Sequence, residues 1–314
     1  SAGNRKKGTL SAWVKRCELG ALNYIFGVAN GANEDILRFN ADDTLEFRIN
    51  ATSSITSSAK YRDPSAWYHI VVRWDFANTT WDMYVNGIEI VYAVANTPAN
   101  VDIAIFNTVE HRIARAPTGT ALTADLYLAE FIMLDGQFLD PTSFGEFDAN
   151  GVWVPIAYAG TYGTNGFRIT GEDNSTAAAL GTDYSGNSNT FTVSGLTTAS
   201  QSLDSPTDDI DGTGASNYAT ANPILGTASP PVYSEGNLYI VASGGSYHKW
   251  ASTLAIPPNS GKWYWENEFI STTVNTDYHV GICTDTMATN GKLISAGQNL
   301  GADAEAQSWV INAN

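Results

Sequence analysis

Two glutamates, Glu266 and Glu268, sit two residues apart in the run Gly261-Lys262-Trp263-Tyr264-Trp265-Glu266-Asn267-Glu268. On a strand that spacing puts both carboxyls on one face. Glycoside hydrolysis needs such a pair facing a single cleft, about 5 to 9.5 Å apart. Spacing alone makes a candidate and supplies no mechanism, and an ordinary strand carboxylate is the simpler reading of each. Nucleophilic chemistry has less to work with. The histidines are His69, His111, His248 and His279, no Gly-x-Ser-x-Gly turn is present, and neither Cys17 nor Cys283 lies in a recognisable catalytic setting. His69 and His279 stand inside aromatic, β-branched runs, where a histidine satisfied by structural hydrogen bonds is the simpler expectation. Gly212-Thr213-Gly214 is followed by neither a Lys nor a helix start in the place a phosphate-binding loop requires. The chain reads as a non-enzyme.

Binding chemistry has more support. Trp153, Tyr158, Tyr162 and Tyr184 lie among Gly, Asn, Ser and Thr, off any regular strand pattern. An exposed ring with polar groups beside it is what a sugar needs, a stacking face and a few oriented hydrogen bonds. The competing reading is that these rings pin a connector to its neighbours.

The elements that must position these groups are strands. Trp67 to Asp75 and Trp81 to Ile90 are dense in β-branched and aromatic residues and bounded by Asn, Asp, Thr and Gly. Trp81, Met83 and Val85 fall on one face, and Asp82, Tyr84 and Asn86 on the other. Asn86-Gly87 favours a tight hairpin turn, with Ile88 to Tyr92 returning as a third strand. Thr9 to Lys15, Tyr24 to Val28, Ile36 to Phe39, Leu45 to Ile49, Val101 to Phe106, His111 to Ala114 and Leu126 to Leu134 continue the series. No helix-period segment intervenes, which argues a two-sheet sandwich. Asp140 and Pro141 suit a helix start, with a turn or two over Ser143 to Phe147. From Gly151 to Pro206 the chain becomes loop-rich yet aromatic. A second β region follows, with strands at Asn237 to Ala242 and Gly261 to Ile270, and Tyr278 to Cys283 as the neighbour of the latter.

The 314 residues, 43% hydrophobic and 11% aromatic, suffice for about two domains with real cores. A net charge of −16 disfavours nucleic acid and anionic lipid as partners and suits solubility. Two distant cysteines make no disulfide framework. No run has the length of a transmembrane helix, and Ser1 to Lys7 lacks the apolar core of a signal peptide. The start without Met and the strand-like end at Trp309-Val310-Ile311-Asn312 suggest a processed or partial chain.

Trp67-Tyr68-His69-Ile70-Val71-Val72, a short polar turn and Trp81-Asp82-Met83-Tyr84-Val85-Asn86-Gly87 together resemble the central hairpins of laminin-G-like, or concanavalin A-like, jelly rolls. The resemblance covers roughly the first half of the chain. Phe144 to Asp148, Tyr158 to Phe167, Asp173 to Ser175, Ala177 to Asp183 and Leu203 to Asp208 resemble a cassette of tailed-bacteriophage virion proteins. Gly261 to Glu266 with His279-Val280-Gly281-Ile282 resembles the start of a SPRY-like sandwich. These likenesses imply an all-β chain of two concanavalin A-like (jelly-roll) sandwiches joined by a loop-rich connector, with boundaries at 1–148, 149–206 and 207–314. No cofactor is required. Calcium, which such domains often bind, wants six to eight oxygens. The local oxygen clusters are Asp42 with Asp43, Asp75 with Asn78, and Asp208, Asp209 and Asp211. None has the spacing of a regular calcium loop, and solvated turns are the simpler reading.

The implied function is a virion surface or tail fibre protein, assembled in the host cytoplasm, that adheres without catalysis to bacterial surface polysaccharide. Its partners would be other virion proteins and further copies of itself. The alternatives are a structural subunit that cements its neighbours, a secreted bacterial adhesin outside the cell, and a polysaccharide depolymerase using Glu266 and Glu268.

Overall fold

The computed structural model describes residues 2–119, 123–207, 214–226, 231–241, 248, 250–257, 261–268, 270, 278–283 and 308–313. Asp208, Asp209 and Asp211 lie outside the described residues. The chain divides into two units, Ser1–Tyr218 and Ala219–Asn314.

In the first unit the alternating segments become strands β1 (Lys7–Arg16), β2 (Asn23–Asn30), β3 (Asn33–Phe39), β4 (Thr44–Ile49), β5 (Ser53–Lys60), β6 (Trp67–Asp75), β7 (Thr80–Val85), β8 (Ile88–Glu89), β9 (Tyr92–Ala95), β10 (His111–Ile113), β11 (Leu126–Asp135), β12 (Gly145–Phe147), β13 (Trp153–Pro155) and β14 (Phe167–Ile169). Two antiparallel six-stranded sheets result, ordered β14-β11-β1-β6-β7-β8 and β10-β2-β3-β4-β5-β9. Leu10, Ala12 and Val14 of β1 and Ile70, Val72 and Trp74 of β6 point inward, meeting Leu37, Phe39, Phe47 and Ile49 of the opposite sheet. Trp74 stacks on Phe47, centroids 5.8 Å apart. Each of the Leu, Ile, Val and Phe side chains contributes about 1.5–3 kcal/mol through burial. The all-β sandwich is therefore as the pattern of alternation predicts.

The Asn86-Gly87 turn also forms, with both residues at positive φ (51° and 77°). The strand it launches differs from expectation. It pairs with β7 over Ile88–Glu89 only, then crosses to the other sheet, where Tyr92–Ala95 joins β5. Ile90, 9% exposed, marks the crossing as a core residue at the rim.

Val101 to Phe106 makes no strand, although Ile103 to Phe106 are buried. Its amides turn to a carboxylate: Ala104 N and Ile105 N donate to Asp35 Oδ2, and Asn50 N donates to Asp35 Oδ1. Asp35 is fully buried, and that burial pushes its carboxyl up to about 6 against the pull of the three N–H donors. A side chain here does what a neighbouring strand would do, so apolar composition alone misleads. The helix expected over Ser143 to Phe147 is a 3-10 turn at Pro141–Ser143 followed by β12; Asp140 makes no cap hydrogen bond and pairs instead with Arg73.

Residues 137–169 stay on the sandwich of the first unit. β14 extends the first sheet beside β11, and the stretch between covers that sheet's outward face, packing Phe144, Leu139, Tyr158 and Tyr162 on Val71, Ile132 and Leu134.

In the second unit Ala221–Gly226 (β15) pairs with Trp250–Ser252 (β18), and Val232–Ser234 (β16) with Tyr239–Val241 (β17). Tyr278–Cys283 (β19) pairs with Ser308–Ala313 (β20), not with Gly261 to Ile270. Residues 261–268 are exposed and form no strand. Strand composition without a ladder to join does not fix a strand. Among the described residues no helix is long and apolar enough to cross a membrane.

Asp35→Ala removes the acceptor from three amides, two of them buried. The substitution is expected to cost about 2–4 kcal/mol, by the price of unpaired buried donors, measured as a fall in the urea midpoint at neutral pH.

Candidate functional site

The outward face of the first sheet carries Thr9, Ser11, Trp13 and Lys15 of β1 and Trp67, His69 and Val71 of β6, all buried. Ser11 Oγ lies 2.8 Å from His69 Nε2, and Trp153 Nε1 lies 2.9 Å from His69 Nδ1. An indole nitrogen can only donate. His69 Nδ1 therefore accepts, the ring proton sits on Nε2, and Nε2 donates to Ser11. A base that would activate a serine must accept from it, so this serine-histidine pair is not a nucleophilic dyad. Burial pulls the imidazole down to about 3, so the ring is neutral across the physiological range. It stacks on Trp13 at 4.6 Å and on Trp153 at 6.0 Å. His111 is structural as well: it accepts from Phe106 N through Nε2 and meets the Val109 carbonyl through Nδ1.

Trp153 is thus a pin, 8% exposed, and offers no face to a ligand. Its ring fits because Gly87 and Gly145 lack side chains; a Cβ would lie 2.5 Å and 2.6 Å from the indole. Tyr158 and Tyr162 are brought together edge to face at 5.3 Å, with Tyr158 also on Phe144. The Tyr158 hydroxyl donates its one hydrogen to the Thr161 carbonyl at 2.9 Å, with Gln137 Oε1 3.2 Å away. Tyr162 lines an open depression of about 640 Å³ with Gly160, Thr161, Gly163, Thr164, Ser185 and Asn187. Asn187 Nδ2 braces its wall by donating to the carbonyls of Gly163 and Gly166. Tyr184 stands next to Ser185 but does not line the depression; its amide donates to Arg168 O. A partly exposed aromatic ring, two threonines, a serine and an amide around one hollow have the composition of a sugar-binding surface.

Among the described residues the oxygen clusters do not converge. Asp43 is buried, its Oδ1 held by Arg16 and the Gly20 amide and its Oδ2 by Arg62. Asp42, next in sequence, faces solvent and caps Thr44 through its amide and hydroxyl. Asp75 pairs with Lys7 at 3.2 Å and accepts from Asn78 at 2.9 Å. Among the described residues no three His, Cys, Asp or Glu side chains gather as a metal would need. Glu266 and Glu268 are exposed in the second unit, with Glu266 accepting from the Tyr264 hydroxyl.

What sequence reading missed is a second buried cluster on the same outward face, where Lys15 meets Asp204 and Asn217. Its signal was present: β1 alternates apolar residues with Thr9, Ser11, Trp13 and Lys15, and a Trp on a polar face implies a cover.

Residues 2–127 match the family described as the concanavalin A-like lectin/glucanases superfamily. Among solved structures the chain is similar to a candidate carbohydrate binding protein from Bacteroides ovatus, at 16% identity and a TM-score of 0.33, over 49% of this chain and 56% of that one. It is also similar to the heptameric SAP-like pentraxin of Limulus polyphemus (16%, TM-score 0.34, 44% and 67%) and to the CBM40 of the Ruminococcus gnavus IT-sialidase bound to α2,3 sialyllactose (14%, TM-score 0.34, 44% and 79%). The chain spans little more than half of the Bacteroides protein. No curated protein sequence matches.

Trp153→Phe keeps the ring but strands His69 Nδ1, for an expected loss of about 1–3 kcal/mol in chemical denaturation. Acid has a defined sign at His69. Its folded value near 3 lies below the ordinary 6.5, so its contribution is complete above pH 6.5 and falls by about 1.4 kcal/mol per unit as pH drops towards 3. Asp35, raised from 3.8 to about 6, acts oppositely between those values. His69→Gln, which can still accept from Trp153 and donate to Ser11, should therefore lessen the acid loss, read from urea midpoints between pH 7 and 4.

Proposed function

We propose that this chain is a non-catalytic, glycan-binding subunit of a virion surface, of the tail fibre kind, whose ligand is bacterial surface polysaccharide. The observation that carries the reading is the Tyr162 depression, where a ring face and a set of hydroxyl and amide groups stand together at the surface of a sandwich. Support comes also from the match of residues 2–127 to a superfamily of lectins and glucanases, and from the resemblance of segments between Phe144 and Asp208 to a cassette of tailed-bacteriophage virion proteins. Adhesion without hydrolysis fits the described residues: the serine-histidine pair has its proton on the wrong nitrogen, and Glu266 and Glu268 share no strand. Single weak sites repeated in a homo-oligomer, beside other virion proteins, gain avidity through effective concentration. Asp43 and Asp75 already have cationic partners, which makes them poor calcium ligands.

A structural subunit that cements neighbours is the second reading, favoured by Ile88 and Val91, 64% and 76% exposed where the chain changes sheets. Apolar residues on a sheet edge suit a protein neighbour better than a sugar.

Binding of the full chain to a bacterial glycan array, with and without a calcium chelator and with reducing-end release read in the same wells, separates these readings. Binding without release is expected. Tyr162→Ala should weaken it about two- to twelvefold, from a stacking contribution of about 0.5–1.5 kcal/mol, in a variant whose β-sheet circular dichroism shows that it is folded. Release of reducing ends would overturn the non-catalytic reading. Silence from a folded oligomer would favour the cementing subunit.

A further inference from the structure

Lys15 is a lysine without solvent. Its side chain is 1% exposed, on the outward face of β1, between β11 and β6. All three ammonium hydrogens have acceptors: Asp204 Oδ2 at 2.7 Å, Asn217 Oδ1 at 2.9 Å and the Tyr218 carbonyl at 2.7 Å. Asp204 is buried too, and its Oδ1 accepts from Trp67 Nε1 at 2.9 Å. The Tyr127 ring stands 5.7 Å from Nζ and packs edge-on against Trp67. The Asn217 amide nitrogen donates to the Ser65 carbonyl at 2.9 Å, which fixes the direction of its carbonyl towards the lysine. A buried ion pair needs only the amine and the carboxylate. Here a carboxamide is held against the same nitrogen, in a pocket walled by aromatic rings.

We propose that Lys15 and Asn217 join spontaneously through an amide bond between their side chains, with Asp204 carrying the protons. One proton passes from Nζ to Asp204 Oδ2 along the existing hydrogen bond, freeing the lone pair. Nζ attacks Cγ of Asn217, and the carbonyl electrons move onto Oδ1. Asp204 gives its proton to Nδ2 and takes a second proton from Nζ. The electrons on Oδ1 return, the Cγ–Nδ2 bond breaks, and ammonia leaves. Nothing is oxidised or reduced, and no co-reactant enters. The products are a neutral amide and a protonated Asp204 in place of a buried cation and anion, which removes the desolvation cost of two charges. Proximity supplies the rate: amine and carbonyl are already in contact, and a lysine held among apolar walls is the kind that acts as a nucleophile.

The test is the intact mass of the purified, folded full chain, followed by proteolysis and peptide mapping. The chain is expected to be lighter than its sequence by one ammonia, with a branched peptide joining the Lys15 and Asn217 segments. Asn217→Ala and Asp204→Asn should each show the full sequence mass and no branched peptide, with the β-sheet circular dichroism retained. Should Asp204→Asn fail to fold, Asn217→Ala, at a half-buried position, still decides. Full sequence mass for the native chain after prolonged incubation overturns the proposal. So does ammonia loss that maps to a cyclised Asn-Gly step with Lys15 free, or water loss with Lys15 joined to Asp204.

Discussion

A neutral imidazole lies between two indoles on the outer side of the first sheet, accepting from one of them and donating to a serine. That arrangement exists only because both faces of the sheet are covered. The inner face is conventional, an apolar layer against a second sheet. The outer face carries Ser11, His69, Lys15 and Trp67, groups that cost free energy when taken from water unless each finds a partner. The partners come from far along the chain, Trp153 to His69 and Asp204 to Lys15 and Trp67. The connecting chain is therefore a third layer of the first unit, held by directional bonds as well as by apolar contact.

That constraint orders the rest. Gly87 and Gly145 have to be glycines because Trp153 occupies the space of their missing side chains. Tyr158 and Phe144 fill the remaining apolar ground over Val71 and Leu134. Tyr162, at the border of this cover, has one side engaged with Tyr158 and the other left to the hollow.

Strand positions were legible wherever one side of the strand meets the core, because period-two alternation reports the side facing the opposite sheet. The hairpin at Asn86-Gly87 was legible from the two residues that accept positive φ. β5, Ser53–Lys60, was not: its serines and single Ile55 carry little strand signal, and it is held by pairing with β4 and β9. Val101 to Phe106 misled for the converse reason, since a distant carboxylate accepts the bonds a ladder would have taken. Of the candidate site, the aromatic residues were found by composition, but their division into pins and a free face was not. Whether a ring lies over a histidine or over open space depends on where the connector docks. The Lys15 cluster escaped because its members are 189 and 202 residues apart, beyond any local pattern.

Tension along the chain offers a last view of that cluster. A pull arriving from residues beyond Tyr218 meets the first unit at Asn217, and Asn217 and the Tyr218 carbonyl are fastened to Lys15 on a central strand. Force therefore reaches β1 directly. β1 is in turn held on both sides by long antiparallel ladders to β11 and β6, so the load spreads over many hydrogen bonds at once. The anchor point for such a pull is then the middle of the sheet and not its edge.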